Sequence, residues 1–314
     1  MDKSFNIVFM GTPEFSVASL LRLHESRHTL SLVVTQPDRP KGRGRKIHPP
    51  PVKASALALG YEVVQPETMK DPELIERLER IRPDVLVVIA YGKILPRRLL
   101  DLPRIGAVNI HASLLPKYRG PAPIQWAVIN GEKETGVTAM LMAAGLDTGD
   151  ILMTERTSIE PDDTSGTLHD RLSRMGAEVL LRALEEFGAG RIRPVPQDHA
   201  RATYAPMLKK EDGHIDWSKS AASIECLIRG MDPWPGAYIF LKDHRLKVFR
   251  ARVVPEEFPA SSPGTVLPGY SNEIRVAAGT GALAILELQG PSGKRLKAQE
   301  FLRGFPVPPG TVLR

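Results

Sequence analysis

The sequence holds one cysteine, Cys226, so no internal disulfide can form and zinc clusters of paired Cys and His ligands are excluded. Cys226 sits in SAASIECLIRGM at helical spacing with Ile224, Leu227 and Ile228, which predicts a buried thiol rather than a nucleophile. No apolar run approaches the roughly 20 residues needed to span a bilayer. The opening MDKSFNIVFMGTPEF puts Lys3 before a run too short for a secretory leader, and Gly-Thr-Pro-Glu follows where small cleavage-site residues belong. It is expected to form a first buried strand. With no disulfide and no targeting signal, a cytoplasmic protein is expected. Glycine is scarce where a dinucleotide site would need it. The fingerprint asks for three glycines after the strand, and FMGTPEF supplies only Gly11, which argues against a nicotinamide cofactor. Gly11 is expected to permit a tight strand-to-helix turn.

What is present is an ordinary globular balance. Of 314 residues, 42% are hydrophobic and 25% charged, so the chain can bury sizeable cores. The length suits one large domain or two ordinary ones. A net charge of +6 and a pI near 9.4 favour a polyanionic partner.

The first half alternates strand-like and helix-like segments. NIVFMG, LSLVVT, YEVV, VLVVIAY and GAVNIH read as strands; residues 14–23, 52–59 and 71–80 read as helices. VLVVIAY is continuous, apolar and β-branched, as suits a parallel strand buried on both faces. This alternation predicts a doubly wound α/β domain with a mostly parallel sheet. A long closing helix is expected from Thr164 to Phe187, with Thr164 as N-cap. After Gly188 the chain becomes rich in Gly, Pro and charge and loses periodicity, which reads as a linker. Beyond it come a helix near residues 221–231 and the short strand-like pieces AYIFL, RLKVFRARVV, GTVLPG, EIRVAAG and ALAILELQ. They predict a small β-barrel of OB type. The division expected is 1–189, a linker at 190–208, and 209–314.

One stretch stands out: NIHASLLPKYRGPAPIQ, residues 109–125. Strand side chains alternate, so Asn109 and His111 face the same side at the end of GAVNIH. Ligands of open α/β sheets bind outside the carboxyl ends of the strands. There an amide and an imidazolium could both donate to an oxyanion forming on an acyl carbon. GLDTGD, residues 145–150, could supply a carboxylate that favours the protonated ring and takes a proton through water. The plainer reading is that Asn109 and His111 cap the strand end and that Asp147 and Asp150 make a turn.

NIHASLLPKYRGPAPIQ followed by ETGVTAMLMAAGLDTGDIL resembles the folate-dependent formyltransferase family. The resemblance implies a Rossmann-like formyltransferase domain in which Asn109, His111 and Asp147 form the catalytic constellation. It implies that Ser113, Leu114, Leu115 and Pro116 are the formyltetrahydrofolate-binding stretch, with 10-formyltetrahydrofolate as co-substrate. No metal is expected, for want of a convincing ligand set.

The family's members act on a purine precursor ribonucleotide, on an amino sugar nucleotide or on methionyl-tRNA; one relative is a hydrolase. TQPDRPKGRGRKIHPPPVK, residues 35–53, bears on the choice. After Asp38 it carries Arg39, Lys41, Arg43, Arg45, Lys46 and Lys53 without one acid. A run of charge is commonly just a solvated face. Here it leaves the sheet on the side of the expected site, where a phosphate backbone would use such cations. The resemblance to the methionyl-tRNA branch extends over essentially the whole chain, through FMGTPEF, TQPDRPKGRGRK, PPPVK, YGKILP, PDDTSGTL, IDWSKSA and PWPGAY. It implies formyl transfer to the α-amino group of initiator methionyl-tRNA. The loop residues Arg39, Lys41, Arg43, Arg45 and Lys46 would meet the acceptor end, and the C-terminal domain would hold the tRNA's inner side. Lys242, Arg245, Lys247, Arg250 and Arg252, with Lys294, Arg295 and Lys297, are basic residues suited to that. A monomer is expected. Two rivals are weighed: a sister enzyme using a small amine or water, and a non-catalytic RNA-binding protein.

Overall fold

The computed structural model describes residues 4–41, 46–254, 261–270, 272–291 and 293–314. The elements run β1 (Asn6–Gly11), α1 (Val17–His24), β2 (Thr29–Val34), β3 (Arg39–Lys41), β4 (Lys46–His48), α2 (Pro51–Ala58), β5 (Val63–Val64), α3 (Pro72–Ile81), β6 (Val85–Ile89), α4 (Arg97–Leu100) and β7 (Gly106–His111). Then come α5 (Pro123–Ile129), β8 (Glu134–Leu141), β9 (Ile151–Ser158), α6 (Ser165–Gly188), α7 (Ala221–Met231), β10 (Ala237–Leu241), β11 (His244–Val254), β12 (Ile274–Ala277), β13 (Ala282–Gln289), β14 (Leu296–Lys297) and α8 (Ala298–Gly304).

The chain divides into two compact units. The first comprises Met1–Gly120, Thr135–Thr157 and His169–Ala205; the second comprises Pro121–Glu134, Ser158–Leu168 and Pro206–Arg314.

The first unit is built on a seven-stranded sheet in the order β5-β2-β1-β6-β7-β8-β9. β1, β2, β5, β6 and β7 pair in parallel, and β8 runs antiparallel to β7. All of β6 is buried, and so are Ile7 to Met10 of β1, because helices cover both faces. α3 starts where Asp71 accepts from the Glu73 amide and Pro72 supplies a preset φ. It buries Leu74, Ile75 and Leu78 against Leu86 and Val88. α6 starts after Thr164, whose hydroxyl accepts from the Thr167 amide. Further along, Gly176 lets α6 settle on β7, since a Cβ there would meet Ile110 at 2.9 Å.

The differences from expectation are local. The helix expected from residue 14 begins as a 3-10 turn, Glu14–Ser16, because the Ser16 hydroxyl is drawn to the Ile89 carbonyl at 2.6 Å. β5 shrinks to two residues at the sheet edge. The basic segment forms a hairpin, with Arg39 opposite His48. Arg43 and Arg45 lie outside the described residues. Lys53 does not share the phosphate-facing role expected of the loop's cations. Its ammonium donates to Asp38 at 2.8 and 2.9 Å and to Gln65 Oε1 at 2.6 Å, rooting the hairpin.

The Asp38 carboxyl is held below its usual range by the Lys53 hydrogen bonds first and by Gln65 second. A depressed carboxyl stabilises the fold fully above its unfolded value, about 3.9, and loses that contribution as pH falls through its lower folded value. Thermal melts across pH 2–6, taken as roughly that window, should show the wild type losing stability on acidification more steeply than Lys53→Met. Parallel curves would mean the contact contributes nothing.

The second unit centres on an antiparallel sheet, β10-β11-β13-β12, with β14 beside β13. GTVLPG makes no strand of its own, yet it closes the structure. The 264–267 backbone bonds to Arg275 and Ala277 on β12 and, on its other side, to residues 310–313. Arg314 and Phe240 of β10 then exchange backbone hydrogen bonds in both directions. The ring is complete, a small barrel around Trp217, Ile239, Leu246, Val248, Val276, Leu283 and Ile285. A register break at Arg250 in β11 has a visible use. Leu246 and Val248 point inward, and strict alternation would send Arg250 and Arg252 after them. The bulge resets the phase and leaves both exposed. Cys226 on α7 is half-buried rather than in the core, and burial pushes its thiol up.

Candidate active site

The sheet order reverses between β1 and β6, the place where the chain turns from building one side of the sheet to building the other. Side chains close the carboxyl ends there. Thr12 donates to the Tyr91 carbonyl at 2.9 Å and Gln36 to the same oxygen at 2.8 Å. β7 is the next strand outward, and Asn109 and His111 stand at its end.

Asn109 lies opposite Val88 in the parallel register, and its Nδ2 donates to the Val88 carbonyl at 2.8 Å. A carbonyl can only accept, which fixes the amide's orientation. Asn109 Oδ1 is buried and has no partner. A buried acceptor left empty costs free energy, so it calls for an explanation. His111 is buried, and its Nε2 donates to the Tyr118 carbonyl at 2.8 Å. Nδ1 is therefore the atom left facing Asp147, whose Oδ2 lies 3.6 Å away. That gap exceeds a hydrogen bond and leaves Nδ1 uncommitted. The same Oδ2 accepts from the Gly120 amide at 2.7 Å.

Backbone strain gathers here. Ala90, Tyr118 and Asp147 have φ of 45°, 60° and 50°, in the left-handed region unfavourable to side chains. Such conformations persist only where the surroundings enforce them. The loop after β7 is held accordingly. Ser113 is fully buried; its hydroxyl donates to the Lys117 carbonyl at 2.7 Å, and its carbonyl accepts from Thr138 at 2.7 Å. Leu115 is buried, and Leu114 and Pro116 are half-buried. Among these four residues the hydroxyl is thus engaged within the turn, while Leu114 and Pro116 offer apolar surface.

Sequence reasoning missed a second layer behind Asp147. Arg119 is 2% exposed. Its Nε and Nη2 donate to Gln197 Oε1 at 3.1 and 2.6 Å, and Nη2 donates to His199 Nδ1 at 3.0 Å. Gln197 Nε2 donates to the Asp147 carbonyl at 2.9 Å and to the Gly149 carbonyl at 2.7 Å. The Thr203 hydroxyl and carbonyl take the amides of Tyr118 and Arg119, each at 2.8 Å. Gln197, His199 and Thr203 fall in the segment read as a linker. Polarity without periodicity hid them.

In the second unit Lys242, Arg245, Lys247, Arg250 and Arg252 are exposed, with the Arg245 guanidinium 3.6 Å above the Tyr238 ring. Lys294, Arg295 and Lys297 are exposed too, but Arg295 is already paired with Glu287 at 2.5 Å. Among the described residues no group of three or more His, Cys, Asp or Glu could hold a metal ion. No helix among them is long and apolar enough to cross a membrane.

Comparison with known proteins gives the family. The formyl transferase family model matches residues 5–184, and the formyl transferase C-terminal domain model matches residues 207–306. A methionyl-tRNA formyltransferase from Citrifermentans bemidjiense is 52% identical over 307 residues, 98% of this chain and 96% of that protein. One from Caldanaerobacter subterraneus subsp. tengcongensis is 51% identical over 309 residues, 98% of this chain and 99% of that protein. Among solved structures, methionyl-tRNA formyltransferase from Clostridium thermocellum has a TM-score of 0.57 at 19% identity, covering 79% of this chain and 93% of that one. WlaRD, a sugar 3N-formyl transferase solved with dTDP and 5-N-formyl-THF, has a TM-score of 0.66 at 17% identity, covering 93% of this chain and 100% of that one. The two solved structures bear on the fold alone.

Proposed function

The chain belongs to the formyl transferase family, and we propose that it transfers the formyl group of 10-formyltetrahydrofolate to the α-amino group of initiator methionyl-tRNA. The observation that carries this reading is the convergence of Asn109, His111 and Asp147 at the end of β7. It occurs in a chain about half identical, over nearly full length, to methionyl-tRNA formyltransferases.

The folate co-substrate supplies an electrophilic formyl carbon. The unpartnered Asn109 Oδ1 suits a site that takes such a ligand, since a bound amine would end its isolation. A free α-amino group, with a pKa of roughly 7.7–8.0, must be neutral to attack. Asn109 Oδ1 accepts one of its hydrogens and so aims its lone pair. The second Asn109 amide hydrogen and a hydrogen on His111 Nδ1 face the oxygen that gains charge. With Nε2 already donating to Tyr118, a hydrogen on Nδ1 belongs to the cationic ring. Asp147 has one oxygen held by Gly120 and takes the amine's proton on the other, through water; when the tetrahedral adduct collapses, the bond from the formyl carbon to the folate nitrogen breaks and that nitrogen takes up a proton, leaving tetrahydrofolate and the N-formyl product. Leu114, Leu115 and Pro116 shape the folate's seat, and Ser113 holds their turn.

In this reading residues 1–189 carry the chemistry, with Gln197, His199 and Thr203 of the 190–208 segment bracing it, and 209–314 hold the inner side of the tRNA. Arg39, Lys41, Arg43, Arg45 and Lys46 meet the acceptor end. Support comes from the exposed cations on β11 and from their emergence at a bulge. The protein works as a monomer in the cytoplasm.

The test is formyl transfer from 10-formyltetrahydrofolate to methionyl-tRNA, free methionine and a small ribonucleotide amine, across a salt series. Transfer to methionyl-tRNA alone, falling steeply with salt, is expected. Transfer to the small amine, or release of formate with no acceptor, would overturn the tRNA reading.

A further inference from the structure

We propose that Arg119 and Gln197 are positioning residues that hold Asp147 in register with His111 through a one-way chain of hydrogen bonds. The inference rests on the assignment of Asp147 to the reacting centre.

The chain has a direction fixed by chemistry. A guanidinium only donates. Two of its N–H groups converge on Gln197 Oε1, so the amide oxygen must face Arg119. The amide nitrogen must then face the other way, and it meets two carbonyls, those of Asp147 and Gly149. No other side chain of this size accepts at one end and donates twice at the other. A glutamate would keep the Arg119 contact and lose both bonds to the loop.

The loop needs that grip. Asp147 sits at a φ of 50°, a left-handed conformation that aspartate adopts more readily than most residues but still at some cost. Its carboxylate is fixed by the Gly120 amide, and Gly120 follows Arg119 directly in sequence. Arg119 therefore governs both ends of Asp147. Its side chain acts through Gln197 on the backbone, and its backbone places Gly120 against the carboxylate. Arg119 in turn is anchored by exchange with Thr203 and Ala205, at 2.8 and 2.7 Å. Gly120 has a φ of 117°, and a Cβ there would meet the Ala205 carbonyl at 2.8 Å, so the approach is specific to glycine.

Among the described residues the side-chain partners of the buried Arg119 are an amide oxygen and an imidazole nitrogen, neither of them a carboxylate. Burying a guanidinium against neutral groups is costly, and a surface residue would serve a merely structural tie. The arrangement is one that sets an acceptor loop to within fractions of an ångström, the tolerance that reacting groups demand.

The experiment uses the full-length enzyme with methionyl-tRNA and 10-formyltetrahydrofolate. Gln197→Glu is compared with wild type, with Asp147→Asn and with the double variant. The expected result is a fall in kcat of roughly ten- to a hundred-fold, as for a small misplacement of a reacting group, with both KM values within about threefold. In the Asp147→Asn background the same substitution should cost nothing further, because it acts through Asp147. Wild-type kcat in Gln197→Glu, or a full additional loss in the double variant, overturns the proposal even when Asp147→Asn alone is crippled. Near-normal Asp147→Asn would instead overturn the assignment of Asp147. Melting temperatures monitor folding. Should Gln197→Glu not fold, Gln197→Met, which lacks both donors, replaces it with the same expectations.

Discussion

Replacing His111 with Ala should lower the turnover of formyl transfer about a hundred- to a thousand-fold, the loss seen when one oxyanion donor is removed. The side chain makes one hydrogen bond that the fold would miss, to the Tyr118 carbonyl. Leaving that carbonyl unpaired costs about 1–3 kcal/mol, which a folded domain survives with a lowered melting temperature. Asp147→Asn is the companion and the cleaner probe. An amide oxygen can still accept from the Gly120 amide, so the loop keeps its shape, but the side chain no longer takes a proton. Both variants should bind methionyl-tRNA with near-normal affinity. Single-turnover rates at saturating folate read the chemical step directly. If both variants turn over at near wild-type rates while folded, the acid–base assignment is wrong and Asn109 would be left as the lone candidate.

The second large effect concerns charge rather than chemistry. Arg43→Ala with Arg45→Ala should reduce kcat/KM for methionyl-tRNA at least roughly tenfold at moderate salt and leave folate binding unchanged. The slope of log affinity against log salt should shrink by about 2, one for each phosphate that the variant no longer neutralises. Arg39 is exposed on β3 and should behave as a milder member of the same set. Lys53 should not, because its ammonium is spent on Asp38 and Gln65. Equal loss of tRNA and folate binding would mean that the segment shapes the domain and does not read the tRNA. Kinetics over a salt series, with both substrates varied, separates these outcomes.

The parts of the fold that are legible in the sequence are those whose cause is periodic. β6 is apolar at every position because both its faces are covered, and that pattern can be read without coordinates. β7 stands out because Asn109 and His111 break an apolar strand at alternate positions, where burial alone would have placed aliphatics. Gln197 and Thr203 are not legible. They act by hydrogen bonds from irregular chain to partners distant in sequence, and a segment of Pro, Gln, Asp and Arg looks the same whether it tethers or braces. The bulge at Arg250 and the closing role of 264–267 are hidden for a related reason. Both depend on partners distant in sequence. Lys53 reads as one more loop cation because sequence shows charge but not what charge is paired with.

The closure of the second unit's barrel also sets an order in time. β10 completes its pairing with Arg314, far along the sequence from Phe240, and the intermediary 264–267 waits on 310–313. Contacts so remote are slow to form, because the intervening chain must lose its freedom before the first bond rewards it. Until residues 310–314 are made, β10 and 264–267 expose unsatisfied backbone edges of the kind that recruit other chains.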